Sequence, residues 1–278
     1  MNIIKFLDEF TTESLSAKKS NRRDIFGTFG SLGKKAALAA IPFGLATGSA
    51  KAFTQQANDP VGALQLALTL EYLEAEFYIM ALESGVLPGG KPESIYMQIS
   101  KHETQHVDFL FAGLEGAGVE PVSKPTFDFT AGGLFDPFNT SNPDAYAQLL
   151  ALAQAFEDTG VRAYKGQATN LMGSPFLEAA LRIHSVEARH ASEIRRLRAN
   201  FIGETNNEDA LGWITLDNRG PGMPAQTQGV YDGEENVTQG GVNLVTATGF
   251  SAAAVSQAYD EPMSGATAGA IAGLFIVS

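Results

Sequence analysis

Two short runs in this chain, Glu103-Thr104-Gln105-His106 and Glu187-Ala188-Arg189-His190, place a carboxylate and an imidazole three residues apart. On a helix that spacing puts both side chains on one face, with Cβ atoms ~5–6 Å apart, so they can converge on one ion. Each run is preceded by a glutamate with a tyrosine two helical turns later: Glu71 with Tyr78, and Glu157 with Tyr164. Glu71 to Glu103 is 32 positions and Glu157 to Glu187 is 30, as two similar helical hairpins would give. Four glutamates and two histidines brought together across a bundle are enough to hold two divalent ions, with carboxylates bridging between them. The mixed oxygen and nitrogen set favours iron or manganese, because calcium sites rarely use imidazole and structural zinc prefers a closed tetrahedral set. A lone Glu-x-x-His is usually a solvated surface pair. Two of them on separate helices, each with its own preceding glutamate and tyrosine, would otherwise be a coincidence of six residues. Buried without a cation, the same constellation would resist removal from water.

Around these six, four more residues are candidates for orienting the ligands. Tyr78 and Tyr164 can hydrogen-bond ligand carboxylates, with plain core packing as the alternative. Glu74 lies one turn from Glu71 and can serve as an outer or alternative ligand, or as a surface ion-pair partner. His184 lies one turn before Glu187 on the same stripe. His102 is rotated ~100° from Glu103, which predicts an exposed or capping role. Glu76 is expected to be solvated, and no spacing argument selects Asp108 or Asp158.

Helices must position these groups, and their starts are marked by proline at Asp59-Pro60, Lys91-Pro92, Asn142-Pro143 and Ser174-Pro175. Proline costs little in a first turn, because its missing N–H would be unpaired anyway. Asp59, Asn142 and Ser174 are also good N-cap residues. The spacing predicts helices over 60–84, 92–116, 143–169 and 174–200. The second closes in Gly116-Ala117-Gly118, and a Pro-, Phe- and Gly-rich stretch then runs to Asn142. One long crossover between the second and third helices, with short turns within each pair, gives an all-α antiparallel four-helix bundle of definite connectivity.

In the order and type of these ligands, residues 57 to 200 resemble the ferritin-like superfamily. More narrowly, Leu70-Glu71-Tyr72-Leu73-Glu74-Ala75-Glu76-Phe77-Tyr78, the late Tyr231-Asp232-Gly233-Glu234-Glu235-Asn236 and Asp260-Glu261-Pro262 look like the ferritin-like family that includes plant desiccation-related proteins and many exported bacterial proteins. The resemblance implies Glu71, Glu103, His106, Glu157, Glu187 and His190 as ligands of two iron or manganese ions. It also implies redox chemistry on a small molecule such as oxygen or peroxide, of the ferroxidase, oxidase or catalase type. A non-enzymatic metal-binding or stress-protective envelope protein is the alternative. Mineral storage is disfavoured, since the C-terminal extension would have to be fitted around any cage.

Outside the bundle the chain changes character. Lys18, Lys19, Arg22, Arg23, Lys34 and Lys35 precede an apolar, uncharged run from Ala36 to Ala50. Ser20-Asn21-Arg22-Arg23-Asp24-Ile25-Phe26 resembles a twin-arginine export motif, and Ala50-Lys51-Ala52 offers a cleavage site, which makes 1–52 a signal peptide and the periplasm or cell envelope the destination. The apolar run is shorter than the ~20 residues of a spanning helix, so no permanent membrane span is expected. Residues 53–200 form the bundle domain on this reading. Residues 201–278 form a loop-rich extension with short helices near 251–259 and 266–275, packing on the bundle or on another subunit of a homo-oligomer. A net charge of −12 removes nucleic acid as a partner, and the absence of cysteine removes thiolate sites and disulfides.

Overall fold

A computed structural model describes residues 59–207 and 210–277; the expected signal peptide at 1–52 lies outside the described residues. Four long helices carry the architecture: α1 (Pro60–Glu83), α2 (Lys91–Gly116), α3 (Ala145–Gln167) and α4 (Leu177–Ile202). They pack in pairs, α1 with α2 and α3 with α4, and the long connection falls between α2 and α3. This is the all-α bundle with its crossover where the proline and glycine punctuation puts it. No helix among the described residues is long and apolar enough to cross a membrane.

Helix starts follow capping chemistry in one place and depart from it in two. Asp59 caps α1, its Oδ1 accepting from the Gly62 amide at 2.8 Å, with Pro60 in the first turn. Pro143 and Pro175, in contrast, stand two residues ahead of α3 and α4. Asn142 accepts from the Asp144 amide at 3.0 Å and Ser174 from the Phe176 amide at 3.3 Å, so both side chains close short turns before the helices rather than capping them.

Burial divides the helices into two kinds. α2 and α4 bury one stripe each, while α1 and α3 bury residues almost all the way round. A helix apolar on every face must be covered on every face. The cover comes from the end of the chain. After a 3₁₀ turn (Ala225–Val230), a two-residue hairpin of β1 (Thr238–Gln239) and β2 (Val242–Asn243), and the short helices α5 (Leu244–Thr248) and α6 (Ala252–Ser256), helix α7 (Gly265–Gly273) lies on α1 and α3. Its Ala268 and Ala272, with Met263, pack against Leu66, Leu70 and Ala163. The last residues pair with the crossover: the Asp128 amide donates to the Phe275 carbonyl at 2.7 Å, and the Val277 amide to the Thr126 carbonyl at 3.0 Å. Phe275 then joins Phe77, Phe129 and Phe156 in an aromatic cluster that closes one end of the bundle. Fully burying each such ring contributes about 1.5–3 kcal/mol.

One glycine allows this cover. A Cβ on Gly166 would stand 1.8 Å from the Met263 carbonyl oxygen, so only glycine lets the segment before α7 lie directly on α3. Arg162, one turn earlier, holds the same segment. Its guanidinium pairs with Glu234 Oε1 at 2.6 Å and donates to the carbonyls of Val230, Asp232 and Glu261, while its own carbonyl accepts from Met263.

Candidate metal centre

Each of the four long helices delivers its share to one buried point. Glu71 comes from α1, Glu103 and His106 from α2, Glu157 from α3, and Glu187 and His190 from α4. The four carboxylates are 0 % exposed, His106 is 9 % and His190 5 %. Glu71, Glu103, His106 and Glu187 each offer one ligand atom within 4.8 Å of the others, and so do Glu103, Glu157, Glu187 and His190. Glu103 and Glu187 belong to both groups, as two bridging carboxylates would. His106 Nδ1 lies 3.0 Å from Glu103 Oε2, 3.2 Å from Glu71 Oε2 and 3.3 Å from Glu187 Oε1. His190 Nδ1 lies 2.9 Å from Glu103 Oε1 and 3.3 Å from Glu157 Oε2.

These atoms converge without satisfying one another. Glu103 Oε1, Glu157 Oε2, both Glu187 oxygens and His190 Nδ1 are buried and have no hydrogen-bond partner. Each unsatisfied buried polar atom costs about 1–3 kcal/mol, so a cluster of them implies a missing partner for their lone pairs. A cation held among them would answer to that description. The donor set, five atoms of which lack a partner and all drawn from these two groups, fits a pair of divalent metal ions.

The tyrosines aim the carboxylates. Tyr78 on α1 donates to Glu157 Oε1 on α3, and Tyr164 on α3 donates to Glu71 Oε1 on α1. The two bonds cross between the same pair of helices and leave Glu157 Oε2 and Glu71 Oε2 turned toward the histidines. Burial pushes both phenols well above their ordinary range, so they remain donors at neutral pH. Support of this kind fixes ligand geometry before a metal arrives.

Charge in the centre is unbalanced toward the negative. Burial, reinforced by the neighbouring carboxylates, pushes Glu74 and Glu187 well above the usual carboxylate range. Burial also raises Glu71 to about 8 against the pull of His106, and raises Glu157 against that of His190. Glu103 goes the other way: burial acts to raise it, but the adjacent His106 and His190 imidazoles prevail and hold it at about 2. Burial would lower His190, yet Glu157 and Glu103 raise it to about 11; His106 is likewise raised, by Glu103, Glu187 and Glu71. Without a metal, protonated imidazoles supply positive charge, and protonation of the raised carboxyl groups removes part of the negative charge.

Glu74 is buried at 3 % exposure, with no cation beside it, which excludes a surface ion pair. By the internal repeat its counterpart is Gly160, and the substitution is a matter of space. A Cβ on Gly160 would stand 3.0 Å from Glu187 Oε2 and 3.3 Å from Glu74 Oε1, so the missing side chain makes room for a fifth carboxylate beside the centre. His184 is half-buried but lies outside both ligand groups; its Nδ1 meets the Val161 carbonyl at 3.0 Å. Asp158 faces away into an ion pair with Arg195 and a hydrogen bond from Tyr231, and Glu76 pairs with Lys124.

His102 is the residue that sequence reasoning placed elsewhere. It is half-buried rather than exposed, its ring stacks on His190 at 5.1 Å between centroids, and its Nδ1 lies 2.8 Å from His190 Nε2. Adjacency to Glu103 suggested a different face, but His102 stands one helical turn before His106, on the side of α2 that meets α4. That i, i+4 relation to His106 was the available signal. Burial and the neighbouring His190 lower its pKa, so it stays neutral at pH 7 and can accept a hydrogen bond.

The family model described as ferritin-like domain matches residues 59–200, the four long helices and the crossover. No curated protein matches the chain.

Proposed function

Because this chain belongs to the family of ferritin-like domains, we propose that its buried centre holds two iron or manganese ions and performs redox chemistry on oxygen or peroxide. The observation that carries the reading is the pair of four-residue groups sharing Glu103 and Glu187. Glu71 and His106 would complete one position, Glu157 and His190 the other, with the two shared carboxylates between them. Ions so placed would supply electron exchange with a small oxygen species. The chain's own residues prepare the ground. Tyr78 and Tyr164 hold the terminal carboxylates in place, and burial with the neighbouring carboxylates pushes Glu74, beside Glu187, toward its protonated form. The Phe77, Phe156 and Tyr96 rings around Tyr78 exclude bulk water from the α1–α3 side. Reconstitution with iron or manganese should give oxygen or peroxide consumption well above that of a His106→Ala, His190→Ala variant, and equal rates would overturn the redox reading.

The twin-arginine-like run and the apolar segment after it support export of a folded, metal-loaded protein to the periplasm or envelope. Mass spectrometry of the mature protein tests this, since a cytoplasmic protein with Met1 intact contradicts it. A non-enzymatic reading rests on the burial of all six ligands: metals there would tie four helices together. It predicts a lower melting temperature on metal removal and no turnover with either oxidant.

A further inference from the structure

The internal repeat makes the two halves of the centre nearly interchangeable, and one departure from it bears on a ligand directly. Glu103 and His106 repeat as Glu187 and His190, so His102 repeats as Val186. Behind His190 there is consequently an imidazole with a nitrogen 2.8 Å from His190 Nε2. The repeat position that answers to His102 holds an apolar valine with no hydrogen-bonding group on its side chain, and among the described residues no hydrogen bond reaches His106 Nε2. His190 Nδ1 is the buried, unpartnered atom that faces Glu103 and Glu157. A histidine that ligates through one nitrogen needs an acceptor for the proton on the other, which fixes both tautomer and ring orientation.

We propose that His102 is a positioning residue: its Nδ1 accepts from His190 Nε2–H and thereby makes the Glu157/His190 metal position the tighter of two unequal positions. The stacked rings add a second restraint, lying nearly parallel at 15°. With Nδ1 the acceptor, His102 Nε2 carries the ring proton, and the Gln98 side-chain amide beside it holds the ring in turn when its oxygen faces that N–H. His106 has no such chain behind it. The inequality is a property of this sequence rather than of the ligand set, which is the same in both halves. It rests on the di-metal reading above, and deepens it by assigning an order of filling.

Titrating Mn²⁺ into the metal-free full chain, with heat as the readout, tests it in three forms. His102→Phe keeps a stacked ring and removes the acceptor; His102→Asn keeps an acceptor near the Nδ1 position and removes the ring. Wild type should bind two Mn²⁺ in distinguishable steps. His102→Phe should weaken the tighter step by about 10–100-fold while leaving the other within about threefold, the usual range for losing such a partner. His102→Asn should stay within about threefold of wild type at both. The unaffected step reports that the bundle is intact, which a merely structural role for His102 would not spare. Wild-type binding by His102→Phe overturns the proposal and leaves the di-metal reading standing. Equal losses in the Phe and Asn variants also overturn it, because stacking alone would then be responsible. A wild-type chain that takes up neither Mn²⁺ nor Fe²⁺ overturns both.

Discussion

Arg162→Met should loosen the C-terminal extension from α3, and the size of the effect follows from what the guanidinium touches. Arg162 is 3 % exposed and serves Glu234 Oε1 at 2.6 Å together with three carbonyls, those of Val230, Asp232 and Glu261. Methionine replaces the stem but none of these bonds, and it leaves Glu234, 1 % exposed and with Oε2 already unpartnered, as a buried carboxylate without its cation. Breaking one side of a buried pair costs about 3–5 kcal/mol. For a domain of this size that is a fall in melting temperature of about 6–20 °C. The loss also depends on pH. Burial holds Glu234 up at about 7 even with Arg162 present, and without Arg162 it rises further. A carboxyl raised in the folded state loses stability as pH climbs from its unfolded value through its folded one. The variant therefore goes on losing stability above pH 7, where wild type has stopped, and its deficit is larger at pH 8 than at pH 5.5. Thermal unfolding by circular dichroism at both pH values measures this, with Arg162→Met, Glu234→Gln expected to recover part of the loss at pH 8. A melting temperature within about 2 °C of wild type, or a deficit that is the same at both pH values, would refute the reasoning.

Metal-free protein should lose stability between pH 5 and 8, because Glu71, Glu74 and Glu187 favour their protonated forms when folded and the raised histidines lose protons over a range extending above their unfolded values. Metal-loaded protein should lose less, so the gap in melting temperature widens with pH; a gap that narrows contradicts the assignment. Gly166→Ala sets a methyl group 1.8 Å from the Met263 oxygen and should cost about 1–3 kcal/mol or more, with faster hydrogen exchange at the Met263 amide. Unchanged exchange there would show that the segment does not lie on α3. Tyr164→Phe should weaken metal binding at the Glu71/His106 position and Tyr78→Phe at the Glu157/His190 position, each by about tenfold or more with the fold retained. Equal effects of both variants on both positions would argue against separate orienting roles.

The gathering of the four glutamates and two histidines was legible because helical spacing converts directly into facing: Glu-x-x-His says where two side chains point before any packing is known. Asp59-Pro60 likewise named its helix start, since capping depends on local residues alone. Asn142-Pro143 and Ser174-Pro175 carry the same local signal but close turns two residues early, because an Asx or Ser turn uses the same side-chain acceptor as a cap. The burial of Glu74 depends on the absence of a side chain at Gly160, on another helix and 86 positions away, which no pattern within α1 reveals. His102 was misplaced because adjacency to Glu103 outweighed its relation to His106. The apolar character of α1 on all faces is a property of its sequence, and a helix of that kind requires a covering element. What could not be read was that Arg162 and Gly166 would bring the Tyr231–Asn236 and Asp260–Pro262 runs down onto α3.

The central claim is tested most directly by counting metal in the full chain isolated from its native compartment, wild type beside Glu103→Gln, by inductively coupled plasma mass spectrometry. Glutamine keeps the shape of the shared carboxylate and removes its charge. The account predicts about two iron or manganese per chain in wild type and a loss from both positions in the variant, with the helical signal unchanged. No iron or manganese in the wild type, or about two retained by Glu103→Gln, would contradict it.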